Sequence, residues 1–320
     1  YGNNVCALEI PIINEGKLEG VLNIIDMKAR ITDSNGNRKE VSIPSGLESI
    51  ADSYRTSLNE AIAETSEELM EKFFAGEEFT AEDTLKGLSQ GILSGSIFPV
   101  MCGSSATLCG TGAALDSIAE FFPSPDKAEA EYAIDKNKNE TTLKADESSS
   151  FAGFVFKTVA DPFVGKMSYI KIVSGTLKPD SQVINFRTNT SERIGKIYFV
   201  KGKKQTETDK AAAGDIVVVT KLNDTTTNDS LCDSSKVVEF RKIAYSKPCL
   251  SMAVLPKERG DEDKISAGFQ KLKEEDLTFT LENNTETHQQ IISGLGEMHI
   301  DVLVSKLKNK FGTSVTLIEP

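Results

Sequence analysis

Apolar positions at the start of the chain fall in two short runs, residues 5–13 and 20–25, separated by Asn14-Glu15-Gly16-Lys17. The turn-forming Asp33-Ser34-Asn35-Gly36-Asn37 follows, a pattern that predicts strands joined by tight turns. From Gly46 to about Phe74 the period changes. Leu58, Ile62, Leu69 and Phe73 recur at the spacing of one helix face, in a segment otherwise rich in Ala, Glu and Lys, and Gly76 is placed to end that helix. A second helix is expected at about residues 81–91. The apolar strand 97–101 and a third helix over 112–122 follow, stopped by Pro123-Ser124-Pro125.

Residues 127–150 are polar, end in Asp-Glu-Ser-Ser-Ser and offer little to bury, so they read mostly as a linker. Strand-like segments at 151–157, 167–174, 182–187, 193–200 and 215–221 then alternate with clusters of Gly, Pro and Asp, with no helical window among them. That regular spacing predicts a closed β-barrel. From Pro248 the order becomes strand (249–255), helix (261–273), strand (278–281), strand (288–293), helix (297–311), strand (314–318), the βαββαβ order of a ferredoxin-like domain. In the last helix Ile300, Leu303, Val304, Leu307 and Phe311 form one apolar stripe, and Gly312 stands where a C-cap belongs.

At 320 residues and 39% apolar composition the chain has room for two or three ordinary globular domains. No apolar run is long enough for a membrane span, and the start Tyr1-Gly2-Asn3-Asn4 has no features of a secretion signal, so the expected location is cytoplasmic and no membrane partner is expected. Five cysteines without a C-x-x-C pair and only two histidines, His288 and His299, make a disulfide framework or a metal site an unpromising reading. The net charge of -12 argues against generic nucleic-acid binding but is unevenly placed. Residues 1–147 carry 12 basic against 26 acidic side chains, net -14, whereas residues 148–320 carry 24 against 22, net +2, so the two parts face different partners or different faces of one.

The phosphate-binding signature G-x-x-x-x-G-K-[ST] does not occur. Gly165-Lys166 imitates it, but Ala160 replaces the first glycine and Met167 the hydroxyl, and the segment precedes a strand where a helix is required. Asn137-Lys138-Asn139-Glu140 imitates a guanine-reading N-K-x-D without its aspartate, and Asp33-Ser34-Asn35-Gly36 fits D-x-x-G only as a turn. Cys102-Gly103-Ser104-Ser105-Ala106 differs from these decoys. It lies between an expected strand and an expected helix, where main-chain amides can meet a flat ligand.

Three phrases in order carry a family resemblance: Met101-Cys102-Gly103-Ser104-Ser105, Asp161-Pro162-Phe163-Val164-Gly165-Lys166, and Ser293-Gly294-Leu295-Gly296-Glu297-Met298-His299-Ile300-Asp301. Together they resemble the middle of bacterial translation elongation factor G, a translational GTPase, so the chain looks like an internal fragment of that factor or of a divergent paralogue. Thr107-Leu108-Cys109-Gly110 departs from the basic continuation usual there. The resemblance implies a multidomain α/β and β architecture, in which the end of a P-loop GTPase domain and its α+β insertion precede a β-barrel and a ferredoxin-like βαββαβ domain. It assigns 1–96 to the insertion, 97–125 to the last strand and helix of the G domain, 126–150 to a linker, 151–246 to the barrel (domain II) and 247–320 to the ferredoxin-like domain (domain III).

The resemblance also implies roles. Ser104, Ser105 and Ala106 align with the segment that contacts the guanine base. Glu60, Glu64, Glu67, Glu68 and Glu71, read as an acidic strip along a helix over 57–74, align with the insertion that meets the stalk protein of the large ribosomal subunit, though such strips are commonly just solvated faces. Arg187, Arg193, Lys196, Lys201, Lys203 and Lys204 form a basic cluster able to lie along ribosomal RNA phosphates, the plain alternative being exposed loops. Gly296, Glu297 and His299 are placed either at a helix start, packing and hydrogen bonding, or at an interdomain border beside the fusidic acid pocket. No catalytic residue and no metal ligand is expected. GTP and Mg2+ belong to the parent protein, and the fragment alone is expected to bind neither and to be inactive. The implied partner of this expected monomer is the ribosome, and the implied function is GTP-driven movement of transfer RNA and messenger RNA, to which this piece contributes ribosome contacts and coupling. Two alternatives remain: a tetracycline-resistance-type ribosomal protection protein, and a stand-alone ribosome-binding module without GTPase activity.

Overall fold

The computed structural model describes residues 2–33, 35–161 and 164–320; Ser34 of the Asp33 turn and Pro162 and Phe163 of the Asp161–Lys166 phrase lie outside them. The chain divides into two compact units, 1–127 and 128–320.

The first unit opens with β1 (Val5–Ala7), β2 (Glu9–Asn14), β3 (Lys17–Asn23), β4 (Lys28–Thr32) and β5 (Arg38–Val41), the last four forming an antiparallel meander in the order β2-β3-β4-β5. Three helices follow: α1 (Glu48–Ala63), α2 (Glu67–Phe74) and α3 (Ala81–Ser94). The expected single helix over 57–74 is thus two helices. The reason is local: Ser66 adopts an extended backbone and its hydroxyl accepts the Leu69 N–H at 3.3 Å, starting a new helix after Glu64 caps the old one. The apolar period survives the break, since Leu58, Ile62 and Leu69 are all buried in one core with Leu8, Leu22, Leu88 and Ile97. α3 begins with a capping box in which Thr80 and Asp83 satisfy each other's backbone amides. β6 (Phe98–Val100) runs parallel to β1, and α4 (Thr111–Phe121) buries Phe121 in the same core, so residues 97–125 and 1–96 share one interior.

The second unit begins in the expected linker. Instead of a linker, residues 128–150 hold β7 (Glu131–Asp135) and β8 (Glu140–Leu143), an antiparallel pair turned at Asp135-Lys136-Asn137-Lys138-Asn139, where the Asp135 carboxylate accepts the Asn137 and Asn139 amides. Two buried residues on these strands, Ala133 and Leu143, decide their fate: they complete a small core with Val173, Cys232, Val238 and Phe240, which a reading by mean polarity misses.

Barrel strands follow: β9 (Ala152–Asp161), β10 (Gly165–Ser174), β11 (Thr176–Leu177), β12 (Gln182–Asn185), β13 (Ser191–Arg193), β14 (Ile197–Lys201), β15 (Lys204–Thr208), β16 (Ala211–Ala212), β17 (Ile216–Thr220) and β18 (Ser230–Cys232). Eight of them form one sheet, β13-β12-β18-β9-β10-β17-β14-β15, with β11 and β16 paired apart, and the apolar faces meet around Val155, Ile170, Ile172, Ile194, Ile197 and Val219. The turn after β10 requires glycine. Gly175 has φ 73°, and a Cβ there would lie 2.6 Å from the Phe151 backbone. β19 (Val238–Phe240) returns to pair with β7.

The last domain has β20 (Leu250–Pro256), α5 (Glu262–Glu275), β21 (Thr280–Asn284), β22 (Gln289–Gly294), α6 (Glu297–Phe311) and β23 (Val315–Ile318), with sheet order β21-β22-β20-β23. This is the βαββαβ order expected from the sequence. The helices cover one face of the sheet through Phe269, Ile300, Leu303 and Leu307, with Phe279 of the α5–β21 connection in the same core, and Gly312 closes α6 in the left-handed conformation at φ 70°.

Candidate functional site

The loop after β6 is held from both sides. Glu9, only 3% exposed on β2, accepts the Cys102 N–H through Oε2 at 3.2 Å, while its Oε1 has no partner among the described residues; burial raises its pKa against the opposing pull of the Cys102 amide and Arg38. Ser104 N–H donates to the Cys109 carbonyl at 2.8 Å and its hydroxyl accepts the Thr107 N–H at 3.3 Å. Gly110, at φ 75°, lets the two legs close: a Cβ there would meet the Cys102 carbonyl oxygen at 2.2 Å. The turn so formed leaves Ser105 and Ala106 exposed, and among the described residues their amides donate no hydrogen bond. Burial, Glu9 and Cys109 push the Cys102 thiol up to about 11, so little thiolate forms at neutral pH. Glu9 escaped the sequence reading; its signal is a lone acid within an apolar strand.

The acidic residues do not form one strip. Glu60 lies on α1, Glu64 caps it, and Glu67, Glu68 and Glu71 lie on α2, all exposed. Glu68 is taken up by Lys86 at 2.8 Å. Beside Glu71, the ring of Phe74 is 80% exposed, so this end of α2 presents acid and an aromatic together.

The basic cluster also separates into two groups. The Arg187 guanidinium donates to both oxygens of Asp229, at 2.7 and 2.9 Å, and to the Asp224 carbonyl. Asp229 is 2% exposed and also accepts the Asn185 side chain and the Thr226 N–H; burial would raise its pKa, but Arg187 and these donors hold it below the usual carboxylate range. Arg187 therefore braces the barrel. Arg193 pairs with Asp180 at 2.7 Å and Lys196 with Glu207 at 2.8 Å, both exposed pairs. Lys201, Lys203 and Lys204 stand at the β14–β15 turn around Gly202, exposed and with no carboxylate within ion-pair distance among the described residues.

In the last domain, His299 Nδ1 accepts the Leu295 N–H at 3.0 Å and Nε2 lies 3.0 Å from the Asp276 carboxylate. The first bond makes Nε2 the protonated nitrogen of the neutral ring, so the imidazole ties the start of α6 to the end of α5. Gly296 is the N-cap of α6 and Glu297 occupies its first turn, where a carboxylate suits the helix dipole. Among the described residues no cluster of three His, Cys, Asp or Glu side chains is placed to hold a metal, and no helix is long and apolar enough to cross a membrane.

Comparison with known proteins places the barrel and the last domain in a family. Residues 150–234 match the family model of elongation factor G domain 2, and residues 245–319 that of elongation factor G domain III. A crystal structure of a protein from Thermus thermophilus is similar over 99% of this chain, at 27% identity and a TM-score of 0.81. The chain spans 45% of that protein's length. With the barrel and the βαββαβ domain matched in sequence and in order, the chain is elongation factor G-like, its residues 150–234 and 245–319 being the second and third domains of that family.

Proposed function

We propose that this chain supplies ribosome contacts and interdomain coupling to an elongation factor G-like translocase, in which GTP binding and hydrolysis drive transfer RNA and messenger RNA through the ribosome. The observation that carries the reading is the succession of matched second and third domains over residues 150–319. The surfaces support it. Lys201, Lys203 and Lys204 crowd one hairpin turn without acidic partners, which suits a phosphate backbone. The carboxylates and Phe74 at the end of α2 suit a basic protein partner such as a ribosomal stalk protein, chiefly by speeding encounter.

The 102–110 loop belongs in this reading to a guanine-base contact. Its exposed Ser105 and Ala106 amides are available to a base oxygen, whereas nothing in the sequence supplies the phosphate-binding loop or a magnesium hydroxyl. GTP and Mg2+ would therefore bind only in a longer protein that carries those groups, and the chain alone binds no nucleotide. Titration calorimetry with GTP and GDP checks this. Heat no larger than dilution is expected; micromolar binding would mean that Gly165-Lys166 and the Ser104 loop had been misread.

A further inference from the structure

Among the described residues, the barrel and the ferredoxin-like domain are tied through a connecting segment and through a polar cluster. The first is covalent: residues 241–249 between β19 and β20 carry no regular structure and are almost wholly exposed. Within them Ile243 is fastened to the barrel, its N–H donating to the Asn228 side chain at 2.9 Å and its carbonyl accepting from it at 3.1 Å. At the other end Cys249 is fastened to the last domain, its N–H donating to the Gly294 carbonyl at 2.9 Å and its thiol to the Leu295 carbonyl at 3.0 Å, which leaves residues 244–248 as the hinge.

The second tie is polar. Glu275, at the end of α5, has a side chain only 9% exposed, and its Oε1 accepts the N–H of Ala160 in β9 at 2.7 Å. The same oxygen accepts Lys310 Nζ, from the end of α6, at 2.5 Å, and that ammonium also lies 3.5 Å from the Ala160 carbonyl. The backbone N–H and carbonyl of one barrel residue, Ala160, are thus gripped by side chains from both helices of the neighbouring domain. Beside it, Lys166 of β10, with only 17% of its side chain exposed, faces Glu274 at 3.9 Å.

We propose that Glu275, Lys310 and the Lys166–Glu274 pair form an interdomain clasp that holds the third domain on β9 in one orientation, and that opening the clasp frees the domain to turn on residues 244–248. A charge buried against a backbone amide and an ammonium binds well when complete and poorly when one member is missing, so the clasp acts as a latch with two states. Consecutive Glu274 and Glu275 engage two adjacent strands of the barrel, which removes the rotation a single contact would permit.

The test uses the full chain with spin labels at K203C in the barrel and E286C in the β21–β22 turn, in a C249S background. The remaining cysteines are buried or half-buried. One narrow distance distribution is expected for the otherwise native chain. Glu275→Leu and, separately, Lys310→Met are expected to broaden it toward new distances, while Ala160 amide exchange speeds up about tenfold in E275L. Unchanged exchange of the buried amides of α6 shows that each variant is folded. An unchanged distribution in both folded variants would overturn the proposal, as would a native distribution already broad. Should E275L lose its α6 protection, K310M alone decides between the two outcomes.

Discussion

At the scale of the residue, basic side chains that look alike in the sequence divide by their partners. Arg187 is half exposed, yet its guanidinium is spent on Asp229, a carboxylate sealed in the barrel. Arg187→Ala leaves that carboxylate without its cation and is expected to cost about 3 kcal/mol of stability in denaturant unfolding. Arg187→Lys recovers only part of the loss, because an ammonium cannot reproduce the two-pronged contact. A loss below about 0.5 kcal/mol for R187A would mean an exposed pair of the ordinary weak kind. Sequence alone could not sort Arg187 from Lys203: both read as exposed cations, and the partner Asp229 lies 42 residues away. Gly110 was legible only as a glycine. What demands it, the Cys102 carbonyl against its missing Cβ, is a contact between the two ends of a loop.

At the scale of the element, the sequence was read best where a period ran long and ended on a cap. The last helix, expected over 297–311, is found at Glu297–Phe311 with Gly312 left-handed at its end. The 57–74 helix was read as one because its apolar period continues through the break; the break is set by Ser66, which reads equally as helix interior or N-cap. The strands β7 and β8 are not legible in the sequence because two short strands with one buried residue each leave almost no alternation to count. At the start of α3, Lys72 and then the Thr80 amide and hydroxyl hold Asp83 down to about 2, against an ordinary value near 3.9. The unfolded chain takes up the proton first, so this stabilisation is full above pH 4 and is lost as pH falls toward 2. Hydrogen exchange at the α3 amino end should therefore accelerate between pH 4 and pH 2 beyond the intrinsic pH effect, and Asp83→Asn should abolish that extra change. Equal pH profiles for both proteins would remove Asp83 from the account.

At the scale of the whole molecule, the succession of barrel and βαββαβ domain was visible in the order of the strands and helices, because turn residues punctuate the barrel and two amphipathic helices punctuate the domain after it. What sequence could not show is how the surfaces are used, since the acidic excess of residues 1–147 and the near-neutral balance of 148–320 say only that partners differ. Among those uses, the proposed contact of the β14–β15 turn with ribosomal RNA is the one on which the functional reading most depends. Its most direct test is equilibrium binding of the chain to purified bacterial ribosomes over a range of salt, with a K201E/K203E/K204E variant beside it. The native chain is expected to bind with a steep salt dependence, and the variant at least about tenfold more weakly with its log–log salt slope reduced by roughly 2–3. Absence of binding by the native chain, or equal binding by both at every salt concentration, would contradict it.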